Sequence, residues 1–565
     1  MLPPRRIRTD LLVLGALCAV ACFVGLTSHG LTNWQEAMRA LVAREMQERR
    51  EWLLPTIAGV PYLAKPPMVY WCQLALSRVV GGRITELELR LTAALAASAG
   101  VLVTYLVGRV VLRSPGDVGN ARGNVPSGEP RATATDHWPE HAAFWGAAML
   151  ATGVLFVRSA RIGELDVLLV APTVLWIGAL VAGSRASASV LSRAAWLGVA
   201  TLSACVLTLT KGPPALLTPI VGAALPLIVI GVRSRAPRRV WSTLLPTFFV
   251  PTLAGLGAFS LWASAAAARA GEHAARAMAR EEVAENLQLF VPRAPVRYLE
   301  AMSYGVGLGS ICAIVAIVWL VKDRREVRAR AHVGWWVVAC WAILPMLALS
   351  LVSKGVPRYL TPAWPGVALL GGMWLASAIR DLRAGRWLAR GAGAIIVVLA
   401  VGQSWWYGVE RERRFADRSP RAMVGELLAH SDAPSPHMRD LSASDVVAID
   451  LWTPALDFYA GGSVDLYMQL GPLPDDPRTP ASELPGVDAL RERVARQGSL
   501  VALVRSGHHP ENFARAAAGE IPPSPLDALQ HAGFRTLILP IESPFTVDNG
   551  KTRVSAILLT PLQNP

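Results

Sequence analysis

The chain has 565 residues, 53% of them hydrophobic and 17% charged, with a formal net charge of +14. So low a charged share with so high an apolar one argues against a soluble globular protein. The basic excess argues against a nucleic-acid surface as well, because it sits in short clusters between apolar blocks, where it sets membrane topology.

Taken in chain order, the apolar blocks lie at about 11–27, 91–112, 142–157, 166–183, 193–210, 213–232, 242–262, 303–321, 333–352, 359–379 and 388–407. Most run to roughly 17–23 residues, enough to cross a hydrocarbon core about 30 Å thick. The predicted fold is a polytopic α-helical membrane protein with about eleven or more transmembrane helices, amphipathic outer-face helices and a small C-terminal α/β domain. Residues 1–407 form the membrane domain and 408–565 the C-terminal one. Arg5, Arg6 and Arg8 precede the first block, Arg233, Arg235, Arg238 and Arg239 follow the sixth, and Arg324, Arg325 and Arg328 follow the eighth. With alternating spans, the positive-inside rule puts the N-terminus in the cytoplasm and the C-terminal domain outside the inner membrane. The first block has no small-x-small cleavage pattern and reads as a retained anchor.

Two outer segments are long, 28–90 and 263–302. Apolar and charged residues from Met38 to Glu48 recur at helical spacing, and Pro66 and Pro67 suit the first turn of a helix through Met68–Arg78. Residues 114–140 are rich in Gly, Pro, Ser and Thr and read as a flexible cytoplasmic loop. Beyond Trp406, the runs 446–450, 499–504, 535–541 and 554–560 read as strands. Arg421–His430, Pro454–Tyr459 and Pro510–Ala518 read as helices between them. Of the six cysteines only Cys72 lies outside an apolar block, and no CxxC pair suggests zinc.

Ionisable residues at the rim of a membrane are costly and are functional candidates by default. The outer side gathers Gln35, Glu36 and Lys65, then Arg158, Arg161, Glu164 and Asp166, then Lys211, and last Lys354, Arg358 and Tyr359. Glu164 reads as solvated. Lys and Arg can neutralise a phosphate leaving group, and a carboxylate can take a proton from an attacking hydroxyl.

The chain resembles the bacterial GT-C class membrane glycosyltransferases, in particular the 4-amino-4-deoxy-L-arabinose lipid A transferase and dolichyl-phosphate-mannose protein mannosyltransferase family. The first element of that pattern falls on Gln35, Glu36, Glu45, Met46, Trp52, Pro55, Gly59, Pro61, Tyr62, Lys65, Pro66, Pro67, Tyr70 and Trp71. An R-x-G-x-x-D element follows at Arg161, Gly163 and Asp166, and a K-G-P element at Lys211. A K-x-x-x-R-Y element follows at Lys354, Arg358 and Tyr359.

The resemblance implies a polyprenyl-phosphate sugar donor, a lipid, glycan or protein acceptor, and work at the outer face among membrane lipids. It implies donor-phosphate contacts from Lys65, Lys211, Arg358 and Lys354. Asp166 and Glu36 would be the catalytic carboxylates, and Gln35, Tyr62, Tyr70, Trp71, Arg161 and Tyr359 would shape the substrate site. Gln35 stands where the family carries Asp, and Ala64 where it often carries an acid. No cofactor follows from the pattern, and a divalent metal is not supported by the residues present. A catalytically inactive relative that binds lipid-linked sugar or organises envelope assembly is the alternative. A transporter or flippase would place its charges near mid-bilayer instead.

Overall fold

The computed structural model describes residues 5–57, 59–113, 137–183, 189–233, 237–271, 291–322, 333–353, 355–429, 446–449, 451, 453–460, 464–468, 487–506, 524–539, 541, 543–547 and 552–561. Two compact units divide the chain. The first holds Met1–Leu26, Met46–Thr56 and Pro61–Tyr407, and the second holds Thr27–Glu45, Ile57–Val60 and Gly408–Pro565.

The first unit is helical. Among the described residues seven helices are long and apolar enough to cross a membrane: Glu86–Val111, Leu165–Gly183, Val190–Lys211, Leu244–Ala270, Val333–Val352, Pro357–Asp381 and Gly385–Arg418. Two bent pairs bring the number to nine. Trp138–Ala151 with Val154–Arg161 turns by 53°, and Ala294–Tyr304 with Leu308–Trp319 turns by 107°. The two remaining predicted blocks are helical but shorter. Ile7–Cys18 runs on through a π turn, Ala19–Phe23, and Pro213–Val229 falls below spanning length. Of the eleven or more spans expected, seven to nine are met by length and apolarity among the described residues.

Glycines set how closely these helices approach. A Cβ on Gly372 would stand 2.5 Å from the backbone N of Gly146. Helices Trp364–Asp381 and Trp138–Ala151 thus meet backbone to backbone, the small-residue contact common between membrane helices. Away from the glycines, a buried polar network ties three helix ends together. Arg5 and Tyr105 both donate to Asp10, at 2.6 Å each. Arg109 donates to the Tyr105 hydroxyl at 3.1 Å and pairs with Glu140 at 2.9 Å, where Arg113 joins at 2.7 Å. Asp10, buried in the helix Ile7–Cys18 just before the first apolar block, is thereby paired rather than left charged in an apolar setting.

Between the membrane helices, the helix predicted from Pro66–Pro67 spans Met68–Val80, with Pro67 at its N-cap. The segment around Met38–Glu48 is helical over Trp34–Glu48. Two short strands, β1 (Thr56–Ile57) and β2 (Val60–Pro61), pair in a hairpin. The loop residues 114–136 and the outer-loop residues 272–290 lie outside the described residues, and a helix begins at Trp138.

The second unit carries a mixed sheet of β3 (Val446–Ile449), β4 (Val464–Met468), β5 (Leu500–Arg505), β6 (Phe534–Ile538), β7 (Phe545–Val547) and β8 (Thr552–Pro561). The order is β4-β3-β5-β8-β6, with β7 also on β8. Strand β3 is parallel to both neighbours, whereas β8 runs antiparallel to β5, β6 and β7. Val446, Ala448, Val501 and Leu503 pack into one core cluster, and Val447, Ile449, Ala502 and Val504 into another. Both faces of β3 and β5 are thus covered, and a strand buried on both faces reads as an unbroken apolar run. The four predicted strands coincide with β3, β5, β6 and β8, and helices form at Arg421–Ala429 and Pro454–Ala460. Strands β4 and β7 carried no clear signal, and the helix predicted at 510–518 lies outside the described residues.

Candidate functional site

Four of the residues singled out from the sequence meet in the first unit, brought there by three separate breaks in helices. Asp166 lies in the 3-10 turn Leu165–Leu169 that opens the helix running to Gly183. The turn before it needs Gly163, whose φ is +61. A Cβ there would also fall 2.8 Å from Leu89, so the spacing Arg161-x-Gly163-x-x-Asp166 is a backbone requirement as much as a chemical one. Lys211 is the last residue of the helix Val190–Lys211. Gly212, at φ +74, ends that helix, and Pro213 restarts the chain as a 3-10 turn. Arg358 and Tyr359 lie in the 3-10 turn Pro357–Ala363 that leads into Trp364–Asp381, where the Thr361 hydroxyl bonds the Arg358 carbonyl at 2.7 Å.

The Lys211 ammonium pairs directly with the Asp166 carboxylate. Arg358 Nε lies 3.7 Å from the other Asp166 oxygen. Tyr359 faces both cations, its ring centroid 4.0 Å from Lys211 Nζ and 5.8 Å from Arg358 Cζ. Such faces attract a cation through the ring quadrupole. Asp166 is 1% exposed, so a charge removed from this pair would leave its partner unpaired in a poorly solvated place. Lys65 lies within electrostatic range of Lys211 and donates to the Ala64 carbonyl at 2.9 Å. Two cations share one carboxylate, so the cluster carries an excess of positive charge that Lys65 increases. It is chemically suited to an anion, and a phosphate above all.

The other candidates have contacts of their own. Arg161 donates to the carbonyls of Val24 at 2.6 Å and Gly25 at 3.1 Å, and its guanidinium lies 5.4 Å from the Tyr407 ring centroid. It holds the end of the first apolar segment. Trp71 Nε1 donates to the Trp52 carbonyl at 2.7 Å, and Arg78 stands over the Trp52 ring. Tyr62 bonds Pro55 through its backbone N–H at 2.8 Å, and Tyr70 is fully buried on the helix Met68–Val80. Gln35 and Glu36 belong to the second unit, in the first turn of Trp34–Glu48. The Asn33 side chain accepts the Gln35 N–H there at 2.9 Å, Arg39 donates to the Gln35 amide oxygen at 3.4 Å, and Glu36 is fully buried. Lys354 lies outside the described residues.

Glu164 corrects the reading of a solvated residue. It is 2% exposed, accepts a hydrogen bond from Ser159 at 2.8 Å and pairs with Arg158 at 3.2 Å. The chain folds back after Arg161 so that the Glu164 N–H reaches the Ser159 carbonyl, and that turn draws the side chain inward. Sequence reasoning also passed over Tyr298 and Ser353, whose hydroxyls bond each other beside the Arg358 turn. Neither belongs to a motif. Among the described residues no group of three or more His, Cys, Asp or Glu could hold a metal ion.

Apolar helices of spanning length, broken at a cationic cluster, and a small mixed sheet make up a fold similar to that of ArnT. The crystal structure of ArnT from Cupriavidus metallidurans in the apo state matches 97% of this chain and 98% of its own, with a TM-score of 0.64 at 16% identity. The same protein bound to undecaprenyl phosphate gives a TM-score of 0.61 at 16% identity, covering 97% of each chain. The archaeal oligosaccharyltransferase AglB from Archaeoglobus fulgidus, in complex with an inhibitory peptide and a dolichol-phosphate, gives 0.52 at 12% identity over 97% of this chain and 74% of that one.

Among curated proteins, the undecaprenyl phosphate-alpha-4-amino-4-deoxy-L-arabinose arabinosyl transferase of Pectobacterium carotovorum subsp. carotovorum is 23% identical over 68% of this chain. The transferase 2 of the same description from Pseudomonas fluorescens is 33% identical over 16% of this chain. The chain spans 63% of the length of the former and 15% of the latter. No family model matches the chain. At these identities the likeness establishes the fold.

Proposed function

We propose that the chain is an integral membrane glycosyltransferase that moves a sugar from a polyprenyl-phosphate donor to a lipid, glycan or protein acceptor at the outer face of the cytoplasmic membrane. The observation that carries this reading is the cluster of Lys211, Arg358 and Tyr359 on Asp166, with Lys65 in range. It occurs in a fold whose relative was solved bound to undecaprenyl phosphate.

In the proposed reaction an acceptor oxygen attacks the sugar C1. The new O–C1 bond forms as the bond from C1 to the phosphate oxygen breaks, with inversion, and the lipid phosphate keeps the electron pair. Lys211, Arg358 and Lys65 offset the charge that grows on that oxygen. Asp166 orients Lys211 and Arg358 to one spot rather than leaving them to repel each other. A hydroxyl acceptor must also lose its proton to a base. The Gln35 amide cannot take it, and Asp166 and Glu36 are the carboxylates the sequence offers; a phosphate acceptor needs no base.

The test uses purified full-length protein in lipid nanodiscs with undecaprenyl-phosphate-linked sugars and lipid or peptide acceptors. Transfer that drops about 100-fold or more in Lys211→Ala and Arg358→Ala supports the reading, a loss in the range set by removing one electrostatic partner of a transition state. Saturable binding of undecaprenyl phosphate without turnover on any donor–acceptor pair favours the second reading, a binding protein that has lost its chemistry. Gln35, in the place of the family Asp, is the observation behind that alternative.

A further inference from the structure

Setting Arg358 against Asp166 calls for holding Ser353, Gly355 and Val356, which lead into the turn at Pro357, in place. The side chain doing so comes from elsewhere. Tyr298, on the helix Ala294–Tyr304, is fully buried and its hydroxyl bonds the Ser353 hydroxyl. The Val356 backbone lies beside the Tyr298 hydroxyl, and Tyr359 and Asp166 stand within electrostatic range of it. The Gly355 N–H reaches the Ser353 oxygen at 3.4 Å.

Gly355 itself lies at φ +74. A Cβ there would fall 2.7 Å from Ala294 Cα and 3.2 Å from Arg297 Cδ, so the loop backbone lies directly on the first turn of the Tyr298 helix. The far end of that helix is anchored too, because the Leu155 N–H donates to the Gly305 carbonyl at 3.0 Å. A Cβ on Gly305 would also press on the Trp364 ring at 2.8 Å.

We infer that Tyr298 is a positioning residue, whose buried hydroxyl fixes Ser353 and the backbone of 355–356 and so sets Arg358 and Tyr359 against Asp166. The inference rests on the donor-phosphate reading of the cluster. Nothing in the family pattern points to Tyr298, which lies about sixty positions before Arg358 and outside every motif.

The test compares full-length wild type, Tyr298→Phe and Ser353→Ala in nanodiscs. Two readouts are taken on each: backbone hydrogen exchange over 353–359, and binding of undecaprenyl phosphate. Each substitution removes one buried hydroxyl, so exchange over 353–359 should quicken and affinity should fall about tenfold. Tyr298→Phe should weaken binding little further when added to Arg358→Ala, because both act through the same guanidinium. Ser377→Ala is the control. It deletes another buried partner, the acceptor of Trp138 Nε1 at 3.0 Å, and should leave exchange over 353–359 and affinity unchanged.

Unchanged exchange over 353–359 in both variants overturns the inference. So does quickened exchange with wild-type affinity, or a loss that simply adds to that of Arg358→Ala. Quickened exchange in a protein whose wild type binds no undecaprenyl phosphate refutes the donor reading and leaves the positioning role standing.

Discussion

Lys211 and Asp166 form a pair whose two members are unequally exposed, 18% and 2% by side chain. Breaking a buried pair from one side leaves an uncompensated charge and costs about 3–5 kcal/mol, whereas removing both charges is far milder. Asp166→Ala should therefore lower the unfolding temperature markedly, since Lys211 and Arg358 are left facing each other. Adding Lys211→Met should restore most of that stability and none of the phosphate binding. Thermal unfolding and undecaprenyl phosphate titration on wild type and these two variants check this, and a double variant no more stable than Asp166→Ala would contradict the pairing.

Glu51 is the residue-scale pH probe. The Leu53 backbone N–H, at 2.8 Å, and the Arg269 guanidinium, at 2.7 Å, hold its carboxyl below the usual carboxylate range. A carboxyl depressed in the folded state stabilises above its ordinary range, and that stability is lost as pH falls through the lowered folded value. Glu51 is 28% exposed, so solvent screening keeps the effect modest. Glu51→Gln should be less stable than wild type at pH 7, and the difference should close below about pH 5. Unfolding midpoints across that range, equal at every pH, would count against it.

At the scale of elements, two kinds of break do different work. Gly163, Gly212 and Gly355 adopt left-handed backbone where Asp166, Lys211 and Arg358 are presented, so helix ends rather than helix faces carry the candidate site. Gly146 and Gly372 do the opposite and stay helical so that two spans can touch. A valine at 372 has no room, because even its Cβ would overlap the backbone of Gly146. Gly372→Val should cost on the order of 1–3 kcal/mol or more, the usual range for overpacking a tight interface. Folded yield in detergent and the unfolding temperature measure it, and an unchanged midpoint would show that these helices separate readily. The element boundaries were largely legible: Pro66–Pro67 before Met68, Lys211-Gly212-Pro213, and the four apolar strand runs each carry local stereochemistry. Strand β4, residues VDLYM, was not, since an alternation of only five residues is too short to stand out from the polar sequence around it.

At the scale of the whole molecule, the arginine clusters make a topological prediction. Alkaline phosphatase fused after residue 565 should be active and fusions within 323–332 or at 383 inactive, with a cytoplasmic reporter giving the reverse. Activity on the same side for both positions would overturn the orientation.

The sequence by itself determined that this is a multi-helix membrane protein with a strand-bearing C-terminal region. Apolar length and strand composition are local properties that need no partner to be read. It also named Asp166, Lys211, Arg358 and Tyr359, through motifs that survive at low identity. Only the tertiary structure decided that these four meet, that Arg161 bonds the Val24 and Gly25 carbonyls and Trp71 the Trp52 carbonyl, that Glu164 is buried, and that the Tyr298 hydroxyl bonds Ser353 beside the Arg358 turn. Apart from Glu164, which a local turn draws inward, those outcomes depend on contacts between residues tens to more than a hundred positions apart, which no local pattern encodes.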